Sequence, residues 1–427
     1  MLPTLDYKRI LLAILLVIIS IGLLFGIIWL IFLRQPLEQP SQGEPTAGPG
    51  GSLPGIGTGA PGSVVGPGGI LPGSAGNEPI GETSGQTGDE LAQMSEVARG
   101  SLTRAYNLTE TSVNEITLTG SGFNYLSKED DKFYRLSFDG SNRLPLATEA
   151  FPYVDKVTWS ADGEKVILEY PDGANIVYDF TKNKKVTLPT GAEGFSFDSS
   201  GDNLAYKFIG SREEDNWLVV SDSQNIGAEA IEPLGDQGDK VEVAWSPAGQ
   251  VVALYHDSIG LNREEVFFVG QEGENFKSMV VEGSNFSGKW SPDGKKILYH
   301  VINSMSGYNP VLWIADAAGE NIGNNNFNLG IITWVDKCIF SGNNKVYCAV
   351  PVELKEGAGL YPELLSDSAD VFYEINLDTG LSKLIAFPVM NEKLGEFQVK
   401  KLFISDDGSK LYFWDSFTAG LYYIRLK

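Results

Sequence analysis

The sequence predicts an all-β fold, a β-propeller of seven four-stranded blades, with six or eight blades compatible with the same spacing. Three observations predict it. A short motif, clearest as WSPDGKKILYH from Trp290 to His300, recurs along the chain with anchors at Trp159, Phe197, Trp245, Trp290, Phe340 and Ile404, 38 to 64 residues apart. All but the degenerate Phe340 anchor precede a tight-turn sequence whose glycine can accept positive φ, at Gly163, Gly201, Gly249, Gly294 and Gly408. On either side of the turn the chain alternates or runs apolar, as in Val241-Glu-Val243-Ala-Trp245, where every second residue shares one sheet face.

The elements follow in chain order. Residues 1–9 form a short cytoplasmic tail. Ile10 to Leu33 is uncharged for 24 residues, about 36 Å as a helix and long enough to cross a hydrocarbon core of about 30 Å. Its length favours an uncleaved anchor over a cleaved signal peptide, whose apolar region is shorter. Lys8 and Arg9 precede the span and Arg34 alone follows it closely, so the N-terminus is expected inside and the bulk of the chain outside. Gly22 and Gly26 form a G-x-x-x-G pair that would allow two such helices to pack as a homodimer.

Residues 34–88 are dense in Gly and Pro and lack both periodicities, which predicts a disordered linker. Gly57 to Gly62 spells G-x-G-x-x-G, but no strand precedes it, no helix follows and Pro61 sits inside, so it is not a dinucleotide site. Residues 89–112 hold an expected short helix, Asp89 to Ala98, and a lead-in segment. Around Ser101 to Leu108 that segment could supply a closing strand to the last unit, which has only three strands of its own near 399–404, 410–414 and 421–426.

The propeller itself is expected over 113–427. Its W-S-P-D-G-K-K-I-L-Y repeat resembles that of TolB-like, WD-repeat-like propellers of bacterial envelope proteins, and the propeller domains of prolyl oligopeptidase-type peptidases. The likeness is strong at Trp245 and Trp290, fair at Trp159 and Ile404, and weak at Phe197 and Phe340. It implies the fold and says little of function. The peptidases carry a separate hydrolase domain that this chain has no room for, and no G-x-S-x-G elbow occurs.

Charge and motif readings narrow the function. A formal net charge of −23 disfavours nucleic acid. Cys338 and Cys348 flank the turn CIFSGNNKVYC; a loop at 342–344 sets them directly opposite, within reach of a disulfide, the alternative being two buried thiols. A metal site on these cysteines lacks a nearby histidine. The two histidines, His256 and His300, occupy equivalent places after Tyr255 and Tyr299, which reads as repetition and not as a ligand pair. The acidic runs Lys128-Glu-Asp-Asp-Lys132 and Arg212-Glu-Glu-Asp215 read as solvated hairpin tips. No cofactor is expected.

The insertion after Pro351 breaks the period and carries Leu360, Tyr361 and Leu364, which either contact a partner or fold back over a blade. The favoured function is a non-enzymatic, membrane-anchored, extracytoplasmic protein-interaction or scaffolding module with an envelope protein as partner. The alternative is a glycan-binding protein or glycoside hydrolase using carboxylates at the propeller mouth.

Overall fold

The computed structural model describes residues 94–274, 276–362, 368–390, 393–394 and 397–427. The expected membrane helix with Gly22 and Gly26, the linker and Leu364 lie outside the described residues. No helix among the described residues is long and apolar enough to cross a membrane.

Seven sheets form a propeller. Blade 1 is Val113–Thr119, Gly122–Ser127, Phe133–Leu136 and Arg143–Pro145, paired in that order and antiparallel. Blades 2 to 6 repeat the meander, beginning at Lys156–Trp159, Ala192–Phe197, Val241–Val243, Ser284–Trp290 and Cys338–Phe340. Blade 7 has three C-terminal strands, Val399–Ile404, Lys410–Asp415 and Leu421–Arg425. Its fourth is Tyr106–Asn107, antiparallel to Leu421–Arg425 with Tyr106 opposite Tyr423. The two rings stack with centroids 4.9 Å apart, and Leu108 N–H donates to the Leu421 carbonyl.

Only part of the expected closing segment serves that purpose. Ser101–Arg104 instead adds a parallel fifth strand to blade 6, alongside Ser382–Met390. The expected helix over 89–98 is corrected where it is described. Ser95 N–H donates to the Leu102 carbonyl, Arg104 N–H to Ser95, and Ala98 N–H to Arg425. These bonds tie the bent segment Met94–Ala98 to the propeller, and a helix of under three turns is too marginal to compete.

The first strand of each blade lies nearest the axis, and these inner strands are tied to one another. The Trp159 indole N–H donates to the Glu115 carbonyl of blade 1, and that of Trp290 to Ala244 of blade 4. Trp245 N–H donates to Ser196 Oγ, and Lys401 Nζ to the Ile116 carbonyl across the closure seam.

The core lies between blades. At the seam, fully buried Phe123 of blade 1 meets Phe403 and Tyr412 of blade 7 edge-to-face, at 5.8 and 4.8 Å. Burying a ring of this kind stabilises by roughly 1.5–3 kcal/mol, so the first and last blades hold each other by packing as well as by the shared sheet.

Candidate functional site

Meandering blades give the ring two unlike faces. The hairpins joining the first and second strands, together with those joining the third and fourth, open on a turn face. The remaining connections open on a loop face.

The repeat builds the turn face. In blade 5, Gly294 N–H donates to the Ser291 carbonyl, Ser291 Oγ donates to Asp293 at 2.8 Å, and Lys296 N–H donates back to Ser291 Oγ at 2.9 Å. Ser160–Asp162–Lys165 and Ser405–Asp407–Lys410 repeat the arrangement. The motif serine is therefore a cap for the turn, a role the sequence reading did not assign. Gly294 has φ 67°, and a Cβ there would lie 2.6 Å from Ala248 N of the preceding blade. Gly163 and Gly201 press on preceding blades in the same way, while Gly249 and Gly408 have positive φ without so close a neighbour.

Anchor positions vary in burial. Phe197, Trp245 and Phe340 are buried, while Trp159, Trp290 and Ile404 are partly so, each packed in a core cluster. Cys338 and Cys348 stand opposite each other on the first two strands of blade 6 and are joined as a disulfide. The pairing follows from their register, with Cα atoms 4.1 Å apart.

The axis of the ring carries charges that sequence inspection left unnoticed. Glu115, Glu242, Lys289, Lys400 and Lys401 lie on the inner strands of blades 1, 4, 5 and 7, and Asp336 precedes that of blade 6. Lys289 Nζ donates to the Cys338 carbonyl at 2.8 Å, and Lys400 Nζ stands 3.7 Å from Glu115. Enclosure by protein pushes the Glu242 carboxyl up to about 7 and the Lys289 ammonium down to about 8, with nearby Asp336 opposing the latter shift. Periodicity could not have brought these groups together, because they are up to 286 residues apart in the chain, from Glu115 to Lys401.

Both histidines have partners within the fold. His300 is buried, accepts from Val335 N–H, and is held down to about 4 by burial, so it is neutral at pH 7. His256 Nδ1 lies 3.6 Å from Glu264. Among the described residues no three His, Cys, Asp or Glu side chains are placed to hold a metal ion.

The loop face is uneven. In blades 1 and 3 the second-to-third-strand connections are the acidic tips. Arg212 pairs with Asp215 and Glu214, and the Tyr134 hydroxyl donates to Asp130 at 2.5 Å. In blades 4, 5 and 6 the equivalent connections expose large apolar side chains and are joined to one another by hydrogen bonds. The long hairpin Val251–Gly260 to Arg263–Gly270 presents Ile259 and Leu261, the latter 98% exposed. Next to it, Asn262 Nδ2 donates to Ser304 Oγ of the blade 5 turn. There Asn303 caps Ser306 N–H and sets out Met305, 89% exposed, and Tyr308.

The insertion of blade 6 lies against that turn. Gly357 N–H donates to the Gly307 carbonyl and Gly359 N–H to Tyr308. A Cβ on Gly359 would fall 2.4 Å from Ile302 Cγ2, so only glycine allows this approach. The inserted backbone thus folds onto blade 5 while Leu360 and Tyr361 stay exposed. Exposed Ile259, Leu261, Met305, Tyr308, Leu360 and Tyr361 therefore occupy three connected loops of one face.

No family model matches the chain, and no curated protein matches it. Solved structures do. The chain is 10% identical to the β-propeller domain of Myceliophteria thermophila Cps50 (Swd1), at TM-score 0.51, over 76% of this chain and 100% of that one. A chain of the mitotic checkpoint complex is 14% identical, at TM-score 0.50, over 83% and 99%. The tricorn protease is 11% identical, at TM-score 0.47, over 74% of this chain and 33% of its own, so this chain spans about a third of that protein. At such identities the likeness is one of fold, and the chain is a seven-bladed β-propeller with four-stranded blades.

Proposed function

We propose that this chain is a non-enzymatic propeller that holds a partner protein on its loop face, displayed outside the cytoplasm by a single membrane span. The observation that carries the reading is the connected apolar surface of blades 4 to 6. Large apolar side chains on loops of a rigid scaffold, grouped and not scattered, mark partner contact. The uncharged segment Ile10 to Leu33 and its flanking Lys8 and Arg9 support the anchor and its direction. The TolB-like character of the repeat fits an envelope protein as the partner.

The test is in-cell crosslinking of the full chain beside a variant with Leu261→Asp, Met305→Asp and Tyr361→Asp. A specific protein should be recovered with the parent and lost from a variant of unchanged Tm. Recovery of no specific protein, together with glycan binding by the chain, would sink the reading. For the anchor, protease added outside intact cells should digest residues 100–427; full protection after the outer envelope is opened would refute the topology.

A second reading has one observation in its favour. Glu242 shares the axis with Glu115 and Asp336, and its raised pKa would keep much of it protonated at neutral pH, as a general acid requires. Glycan turnover abolished by Glu242→Gln would favour this enzyme reading over the scaffold.

A further inference from the structure

Between blades 3 and 4 the ring opens into a groove that shares no residue with the apolar surface of the loop face. It has two compartments, of about 340 and 760 Å³, which meet at Gly273. The outer strand of blade 3, Glu229–Pro233, borders both, with Glu229 to Ile231 on the larger and Glu232 and Pro233 on the smaller. Five residues of strand span about 17 Å, the length of a short extended peptide.

Three features say what could lie there. The smaller compartment is walled by apolar side chains, among them Leu218, Leu234, Tyr255 and half-exposed Phe267. The strand Glu229–Pro233 is the last of its sheet, so one row of its backbone N–H and C=O groups has no ladder partner among the described residues. The charge is of one sign, with Glu232 and Glu274 in one compartment and Asp222, Glu229 and Glu272 in the other, and no Lys, Arg or His lines either. None of these carboxylates is in an ion pair among the described residues.

This chain already shows what its outer strands accept. Blade 6 takes Ser101–Arg104 as a parallel fifth strand beside Ser382–Met390. Among the described residues blade 3 has no such addition.

We propose that the groove between blades 3 and 4 binds an extended polypeptide segment as a fifth strand on Glu229–Pro233, with a bulky apolar side chain in the smaller compartment and Lys or Arg facing the carboxylates. Main-chain bonding to a free edge supplies affinity in such additions, and pockets with fixed charge supply selectivity. The site goes beyond the loop-face reading, and either can fail without the other.

The test uses the full chain in detergent and a displayed library of random twelve-residue peptides, with enriched peptides labelled by fluorescein and measured by anisotropy. Enriched sequences should join Lys or Arg to Leu, Ile, Val or Phe. Their Kd should rise at least tenfold between 50 and 300 mM NaCl. It should rise similarly in Glu232→Gln/Glu274→Gln and in Phe267→Ala, each with unchanged Tm. N-methylation of alternate peptide backbone nitrogens should abolish binding in one register only.

The triple loop-face variant should bind these peptides as the parent does. Enrichment of no peptide class, of peptides without basic residues, or of peptides indifferent to the groove variants would overturn the proposal. A dimer of the parent chain that Glu232→Gln/Glu274→Gln dissolves would also overturn it, because the occupant would then be a second copy.

Discussion

The two faces of this propeller are made of the same strands and yet follow different rules. On the turn face, Ser160, Ser291 and Ser405 each close a four- to five-residue turn with their own hydroxyl, and Gly163 and Gly294 of the first two turns press on the preceding blade. The motif side chains there bond within the ring, although Ile226 and Leu381 are 68% and 71% exposed on the same face. On the loop face of blades 4 to 6, Asn303, Gly357 and Gly359 spend their bonds on holding loops together, and the large side chains point away. The lesson is physical: where the sequence repeats, side chains are consumed by the ring, and where it breaks period, they are free for something else.

Substitutions can break or sharpen that contrast. The largest effect is expected at Lys337→Met. Lys337 Nζ reaches both oxygens of fully buried Asp370, at 2.9 and 2.8 Å, and Asp370 accepts from Val399 N–H of blade 7. Removing the ammonium strands a carboxylate whose burial already raises its pKa, at a cost of about 3–5 kcal/mol in denaturant unfolding. Adding Asp370→Asn should restore much of the loss.

Next, Gly294→Val on the turn face meets both an unfavourable φ of 67° and a backbone nitrogen at 2.6 Å, so about 3 kcal/mol should be lost. Replacing both cysteines by alanine frees a loop of separation 10, with a loss of about 2–3 kcal/mol in the chain-entropy view. Reduction by dithiothreitol of the parent should lower Tm comparably.

A smaller, pH-dependent effect is expected on the axis. Glu242 has its pKa raised by burial to about 7. Its protonated form is therefore favoured by folding, so stability from this group is full at low pH and falls as pH rises from the ordinary carboxyl range through about 7. Glu242→Gln should gain about 1–2 kcal/mol at pH 8, after allowance for channel water, and nothing at pH 4. An equal gain at both would show that the channel does not hold this proton.

The smallest effect on stability belongs to the loop face. Leu261→Asp, at a side chain 98% exposed, should change unfolding by less than about 0.5 kcal/mol. A loss comparable to that at Gly294 would erase the contrast between the faces.

Much of the ring was legible because its determinants are local. Trp245-Ser-Pro-Ala-Gly and Trp290-Ser-Pro-Asp-Gly contain their own turn chemistry, and Cys338 and Cys348 are close enough in sequence for register alone to pair them. The closing strand was legible in region but not in detail. Tyr106–Asn107 and Ser101–Arg104 are both short and lie one residue apart, and only the packed ring decides which outer edge each joins. At Met94 to Ala98, the described part of the expected helix, a few apolar residues at helical spacing carry little weight against bonds to Leu102 and Arg425. Of the apolar surface only Leu360 and Tyr361 of the insertion were legible, and the axial charges and the groove between blades 3 and 4 were not. Each is assembled across blades, as with Leu261, Met305 and Tyr361, which are neighbours through loops 44 and 56 residues apart.

The most direct measurement places a photo-crosslinking amino acid at position 261 or 305 on the loop face, and at 162 or 292 on the turn face, in the full chain in its own cells. One specific partner adduct is expected from 261 and 305, competed away by excess unmodified chain, and none from 162 and 292. The same adducts from both faces, or adducts from the turn face alone, would contradict this.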